Sequence, residues 1–256
     1  MTLKSVENFR GLGGIKTEGG SVVKPLLFRS GHLYTLSEED SATIDALGVA
    51  HVVDYRSPAE VRERPVSYPH AWSPNHTKAA IGGNAAAWIK DLFERMAKAE
   101  FPRAELEETF MKAYRDIPLK NAKGIKLLFD GLLEADEGEA TLFHCSAGKD
   151  RTGITAALLL RVLGVHDDDI YDNFLETNSA IDIESKSAHL AEFISKKSGR
   201  DVTPDDVWPL AGVRAQYLAT SFEAISAAHL NLDRYLRDAL GMTMEKRDRL
   251  KAMYLS

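Results

Sequence analysis

Two short apolar runs stand out early in the chain, LLFRSG at 26–31 and AHVVDY at 50–55, each bounded by Gly, Ser and charged residues. Runs of that length with such boundaries predict buried strands. Between them lies SEEDSATIDALG, with Ser37 as N-cap, Asp40 at the third helical position and Gly48 as C-terminal glycine. A strand, a helix and a strand in that order predict a crossover unit of a parallel sheet. SPAE at 57–60 opens another helical turn, in which Ser57 caps and Glu60 completes a capping box around Pro58. Residues 65–84 are rich in Pro, Asn, Gly and His and read as a loop. The pattern is then helical from 85 to 135. Trp88, Leu92, Phe93 and Met96 share one face, and Phe110, Met111 and Tyr114 share another. A third segment, 121–134, carries Leu127, Leu128, Leu132 and Leu133. ATLFH at 140–144 predicts a strand, and GITAALLLRVLG at 153–164 a helix apolar nearly all round, hence buried. Everything beyond 165 reads as helix, with Thr203 capping TPDD and a long amphipathic stretch over 212–230. No repeat, low-complexity tract or linker divides the chain. The expectation is a single α/β domain over 1–256, with a helical insertion and a helical C-terminal part over 165–256.

Composition narrows the class. With 44% apolar and 27% charged residues in 256, the proportions are those of a globular protein. No apolar run approaches the ~20 residues of a membrane span. The net charge of −6 argues against a general nucleic-acid binder. One cysteine excludes an intrachain disulfide and suits a reducing compartment. The N-terminus MTLKSVENFRGLGG has no signal-peptide apolar region, so a cytoplasmic location is expected, with non-classical secretion left open.

That one cysteine sits in FHCSAGKDRTG, residues 143–153. A free cysteine is most often a small buried hydrophobe; the neighbours of Cys145 reverse that reading. It ends a strand and is followed by Ser146, Ala147 and Gly148, then by Lys149, Asp150 and Arg151, and then by a helix. Small residues between a strand and a helix N-terminus leave backbone N–H groups facing one hollow, a nest for a tetrahedral oxyanion. Arg151, six positions after Cys145, can return over the hollow and grip two anion oxygens. The same field favours a thiolate at Cys145, aimed at bound phosphorus. Thr152 is a candidate hydrogen-bond donor to the sulfur, and His144 either packs beneath the loop or holds it. A nucleotide-binding loop is rejected because no earlier glycine has the required spacing and Asp150 replaces its Ser/Thr. A metal site is rejected because the eight His residues are scattered and no second Cys exists.

HCSAGKDRTG fits the H-C-x5-R-[ST] pattern of cysteine-dependent phosphatases, and its GKDRTG form resembles the atypical bacterial tyrosine phosphatases. That group includes the mycobacterial protein tyrosine phosphatase B and the listerial lipid phosphatase. NFRGLGG (8–14), LFRSGHLYTLSEED (27–40), VVDYRSPAEVRERP (52–65), AYRDIP (113–118), FLETNSAI (174–181) and GVRAQYLATSFEAI (212–225) extend the resemblance over nearly the whole chain. It implies a central, mostly parallel sheet flanked by helices, with a helical lid drawn from 80–118. It implies that Cys145 attacks phosphorus, that Arg151 binds the phosphoryl oxygens, and that backbone groups of Ser146, Ala147, Gly148, Lys149 and Asp150 complete the cradle, with Thr152 beside them. Lys149 would add charge that suits phosphoinositide head groups as well as phosphotyrosine. No metal or cofactor is implied. The expected substrate is a phosphorylated protein or a phosphoinositide.

The general acid is one of two residues, with Asp54 placed slightly ahead of Asp150. Asp54 ends a strand, where active sites of parallel sheets lie; Asp150 sits in the loop itself; Asp116 is a distant third. Against these stand an Asp54 ion pair with Arg56 or Arg151, and an Asp150 pair that positions the loop. Arg29 and Arg56 read as structural ion-pairing residues ahead of substrate contacts. Asp167, Asp168 and Asp169 read as a helix N-terminal charge cluster rather than a metal site. The alternatives to a phosphotyrosine or dual-specificity phosphatase are a phosphatase of lipids or metabolites and an inactive module that only binds phospho-ligands.

Overall fold

The structure is a computed structural model that describes residues 3–69, 72–82, Arg95 and 103–256. Its sheet has five strands: β1 (Arg10–Gly11), β2 (Leu27–Ser30), β3 (Val49–Asp54), β4 (Asn75–Lys78) and β5 (Ala140–His144). The spatial order is β1-β2-β5-β3-β4, and only the β1–β2 pair is antiparallel. Register brings Ser30 and Asp54 opposite His144, and Lys78 opposite Asp54. Four parallel strands therefore end along one edge, with the cysteine strand β5 in the middle.

Alternation along the strands sends side chains to two cores. Leu27, Val53 and Phe143 enter the larger one, with Leu128, Phe129, Ile154 and Leu158. Phe28, Val52 and Leu142 enter the smaller one, with Leu3, Val6, Phe9, Leu33, Ile44 and Trp72. The helices are α1 (Glu38–Ala46), α2 (Pro58–Glu63), α3 (Arg103–Lys120), α4 (Ala122–Glu134), α5 (Asp150–Leu163), α6 (Asp167–Leu175), α7 (Thr177–Ala180), α8 (Ile183–Ser198), α9 (Pro204–Ala211), α10 (Ala215–His229), α11 (Leu232–Asp238) and α12 (Met244–Tyr254). The expected caps form. The Ser37 hydroxyl accepts from the Asp40 N–H, Ser57 with Glu60 and Thr203 with Asp206 make capping boxes, and Gly48 has φ +74°. In α5, 12 of 14 residues are buried, so this helix runs through the interior.

Two expectations change. The loop read over 65–84 contains β4, whose NHTK sequence has no apolar residue to signal a strand. It pairs through its backbone at the edge of the sheet, where three of its four side chains are exposed. Leu127 turns outward, 39% exposed, while Leu128, Leu132 and Leu133 make the buried face of α4. The buried helix expected from 153 begins at Asp150, so Arg151 and Thr152 belong to its first turn. Residues 83–94 and 96–102 of the lid expected over 80–118, with Trp88, Leu92, Phe93 and Met96, lie outside the described residues; from Arg103 onward that stretch is α3. No helix among the described residues is long and apolar enough to cross a membrane.

Candidate active site

The loop Cys145–Lys149 joins the carboxyl end of β5 to the first turn of α5. The carbonyls of Ser146, Ala147 and Gly148 are taken up by donors from outside the loop. Ser146 O accepts from His32 N–H at 3.0 Å. Ala147 O accepts from Asn8 Nδ2 at 3.1 Å, and Gly148 O from Asn8 Nδ2 and Arg29 Nη2, both at 2.9 Å. In a trans peptide the N–H points opposite to the C=O. The N–H groups of Ala147, Gly148 and Lys149 are thereby turned to the other side, and the Gly148 N–H reaches Cys145 Sγ at 3.3 Å. Gly148 has φ +68°, and a Cβ there would stand 2.3 Å from Ser30 O, so the turn requires glycine. Cys145, 2% exposed, thus lies among inward amides at the positive end of a helix.

Arg151 is anchored to Glu60 of α2. Its Nη1 and Nη2 donate to Glu60 Oε2 and Oε1 at 2.9 and 2.8 Å, and Nη1 also reaches Tyr55 O at 3.3 Å. Glu60 accepts the Ser146 hydroxyl at 2.5 Å as well, and the Ser57 N–H at 2.8 Å. Burial pushes the Glu60 carboxyl up, but the hydrogen bonds and charge of Arg151 and the bond from Ser146 outweigh it and hold the group at about 2. Burial likewise opposes the charge on Arg151, and Cys145 and Glu60 keep it protonated. From sequence, Glu60 is only a capping residue. The available signal was its place: a carboxylate one short turn after the carboxyl end of a parallel strand.

The two candidate acids stand in different surroundings. Asp54 is 1% exposed and clamped by Arg56, with contacts of 3.0 Å from Nε to each oxygen, 2.7 Å from Nη2 and 2.9 Å from the backbone N–H. His76 and His144 Nε2 each lie 3.8 Å from it. Burial raises its pKa, yet these three partners drive it far below the carboxylate range. This is the ion-pair arrangement set against the acid role. Asp150 has 26% of its side chain exposed, and its Oδ1 accepts the Tyr114 hydroxyl at 2.5 Å. Tyr114 comes from α3 and is fully buried. Asp116 pairs with Lys112 and Lys120 on the surface of α3.

Other expected contacts are redistributed. The Lys149 ammonium lies 3.8 Å from Asp150 Oδ1, the pairing set against an acid role for Asp150. It also donates to the carbonyls of Pro209, Leu210 and Gly212 at 3.2, 2.9 and 3.1 Å, with Nζ 5.3 Å from the Phe110 ring centre. A cation there meets the unpaired carbonyls at the negative end of α9. The Thr152 hydroxyl is buried without a partner and makes no bond to sulfur. His144 Nδ1 donates to Cys145 O at 3.1 Å beneath the loop, and burial holds its pKa at about 4 against the pull of Asp54. Arg29 is fully buried and donates to Asn173 Oδ1 and Gly148 O, so it braces the loop instead of pairing with a carboxylate. Asp167, Asp168 and Asp169 form the acidic first turn of α6, and Asp167 pairs with Arg161. Among the described residues no group of three His, Cys, Asp or Glu is placed to hold a metal ion.

Comparison with known proteins agrees with this geometry. The model of the tyrosine phosphatase family matches residues 1–256. A provisionally named tyrosine-protein phosphatase of Cupriavidus necator is 34% identical over 258 residues, spanning 100% of this chain and 88% of its own. The triple specificity protein phosphatase PtpB of Mycobacterium tuberculosis is 28% identical over 253 residues, 90% of each chain. A tyrosine-protein phosphatase of Nostoc commune is 30% identical over 146 residues, 57% of this chain and 46% of its own. With the match running from the first residue to the last and the cysteine loop folded as an anion cradle, this protein belongs to the tyrosine phosphatase family.

Proposed function

We propose that the protein hydrolyses phosphate monoesters, phosphotyrosine above all, through a phosphocysteine intermediate. The observation that carries this reading is the Cys145 Sγ that accepts the Gly148 N–H at 3.3 Å, beside an Arg151 whose charge Cys145 favours. The Cys145 thiolate attacks phosphorus, an S–P bond forms, and the ester P–O bond breaks. Amides of the loop from Ser146 to Lys149 and the Arg151 guanidinium hold the three non-bridging oxygens. Asp150 gives its proton to the departing phenolate, then takes one from the water that attacks the S–P bond and releases the thiolate. Asp150 replaces Asp54 as the preferred acid because its side chain is partly exposed and pairs with Lys149 only at 3.8 Å, whereas Asp54 is sealed in its clamp with Arg56. Activity on phosphoserine and phosphothreonine is proposed alongside, in keeping with the name of the mycobacterial relative, and phosphoinositides remain a substrate class to be tried.

The test is phosphate release from a phosphotyrosyl peptide, a phosphoseryl peptide and a phosphoinositide, with Cys145→Ser as blank. Release by the wild type alone supports cysteine chemistry, and the ratio of rates sets the substrate class. Phospho-ligand binding without turnover would replace this reading with a binding module. For the acid, Asp150→Asn is expected to lower kcat on phosphotyrosine by roughly 10²-fold and much less on an aryl phosphate with an activated leaving group. A loss that ignores the leaving group, or one confined to Asp54→Asn, would overturn the assignment.

A further inference from the structure

Asn8 has a backbone φ of +57°, in the left-handed region that non-glycine residues seldom occupy. Its amide is fully used. Nδ2 donates to Ala147 O at 3.1 Å and Gly148 O at 2.9 Å, about 140 residues away in sequence. Oδ1 accepts from Arg10 Nη1, which settles which end of the amide faces the loop. Arg10 is in turn pinned by Asn173 O and the Thr177 hydroxyl, each at 3.0 Å. The backbone that carries Asn8 is seated by apolar side chains on both sides. Leu3, Val6 and Phe9 are buried in the smaller core, and Phe9 stacks on Phe28 with ring centres 5.7 Å apart.

We propose that Asn8 is a positioning residue for phosphoryl transfer: by binding two consecutive carbonyls from outside, it turns the Gly148 and Lys149 N–H groups toward the transferring phosphoryl group. The inference rests on the phosphatase reading and extends it to a residue outside the loop. The chemistry follows from peptide planarity. Each carbonyl held on the outer side fixes the following N–H on the inner side. A loop released from Asn8 can rotate these two peptides, and donors that have to reorient during the reaction stabilise a developing charge less than donors already in place. Arg29 supports only Gly148 O, so the peptide between Ala147 and Gly148 depends on Asn8 alone among the described side-chain donors.

Two variants test this. Asn8→Gly keeps the positive φ and deletes the amide. Asn8→Asp keeps the shape and the acceptor for Arg10 but cannot donate to the carbonyls. For each, kcat and KM are measured on a phosphotyrosyl peptide, orthovanadate and inorganic phosphate affinities by calorimetry, and the thermal midpoint by scanning. The expected result is a loss of kcat and of vanadate affinity in parallel, on the order of 10²-fold, with KM and phosphate affinity changed much less. Should one variant fail to fold, the other carries the comparison. A folded variant with wild-type kcat and vanadate affinity, or equal losses for vanadate and phosphate, would overturn the proposal. A wild type that binds vanadate without hydrolysing any ester would count against the phosphatase reading alone, since the calorimetric arm still reads the role of Asn8.

Discussion

Glu60 and Arg151 meet fork to fork, with both carboxylate oxygens facing both terminal nitrogens at 2.8 and 2.9 Å. The same carboxylate caps α2 through the Ser57 N–H. One side chain therefore ties the start of a helix after β3 to the arginine of the loop after β5.

Glu60→Gln is expected to cost about 3 kcal/mol of stability at neutral pH, because it leaves a buried guanidinium short of its counter-charge, and to lower kcat/KM. The pH dependence has a definite sign. The folded carboxyl, at about 2, binds fewer protons than the unfolded one at its ordinary 4.5, so its contribution is whole above 4.5 and fades as pH falls toward 2. Urea unfolding of wild type and variant between pH 7 and pH 3 checks this: the gap between them should narrow on acidification. A gap that stays constant would mean that Glu60 acts by packing rather than charge.

Lys149 is expected to matter for stability more than for substrate choice. Its ammonium is spent on three carbonyls at the end of α9. Lys149→Met should lower the thermal midpoint by about 2–6 °C, following from a helix-terminus interaction of up to ~2 kcal/mol in a chain of this size. The ratio of phosphoinositide to phosphotyrosine hydrolysis should stay within about twofold of the wild type, since the charge is already engaged by three carbonyls and Asp150. A selective loss of phosphoinositide hydrolysis would show that the side chain swings to the substrate during turnover.

Gly148→Ala puts a Cβ into the space of Ser30 O at 2.3 Å with φ +68°. The loop has to move, and a shift of about 1 Å in the amides should cost roughly 10²-fold in kcat/KM. Gly164 is the matched control. It has φ +84° at the end of α5 with nothing within 4 Å of its Cβ, so Gly164→Ala should cost about 1 kcal/mol from backbone strain with kcat unchanged. Steady-state kinetics and thermal scans of the pair separate a loop effect from a general glycine effect.

Local pattern was enough to read much of this protein. The strands at β2, β3 and β5, the caps at Ser37, Ser57 and Thr203, and the loop from Cys145 to Arg151 all depend on neighbours within a few residues, where period and capping chemistry operate. The polar edge strand β4 escaped because its pairing uses backbone atoms and leaves no apolar trace in NHTK. Tertiary structure alone decided the partners. Arg151 could be read as an anion grip, but not that Glu60 holds it. Lys149 and Asp150 pair with each other at 3.8 Å, yet one also reaches the carbonyls of α9 and the other Tyr114 of α3. Asn8 reaches the loop from the far end of the chain because Leu3, Val6 and Phe9 bury beside the sheet. The chemistry of the cysteine loop was written locally because a nest needs only consecutive amides and a helix end. Its orientation was not, because the carbonyls it turns outward are claimed by residues that only packing brings near.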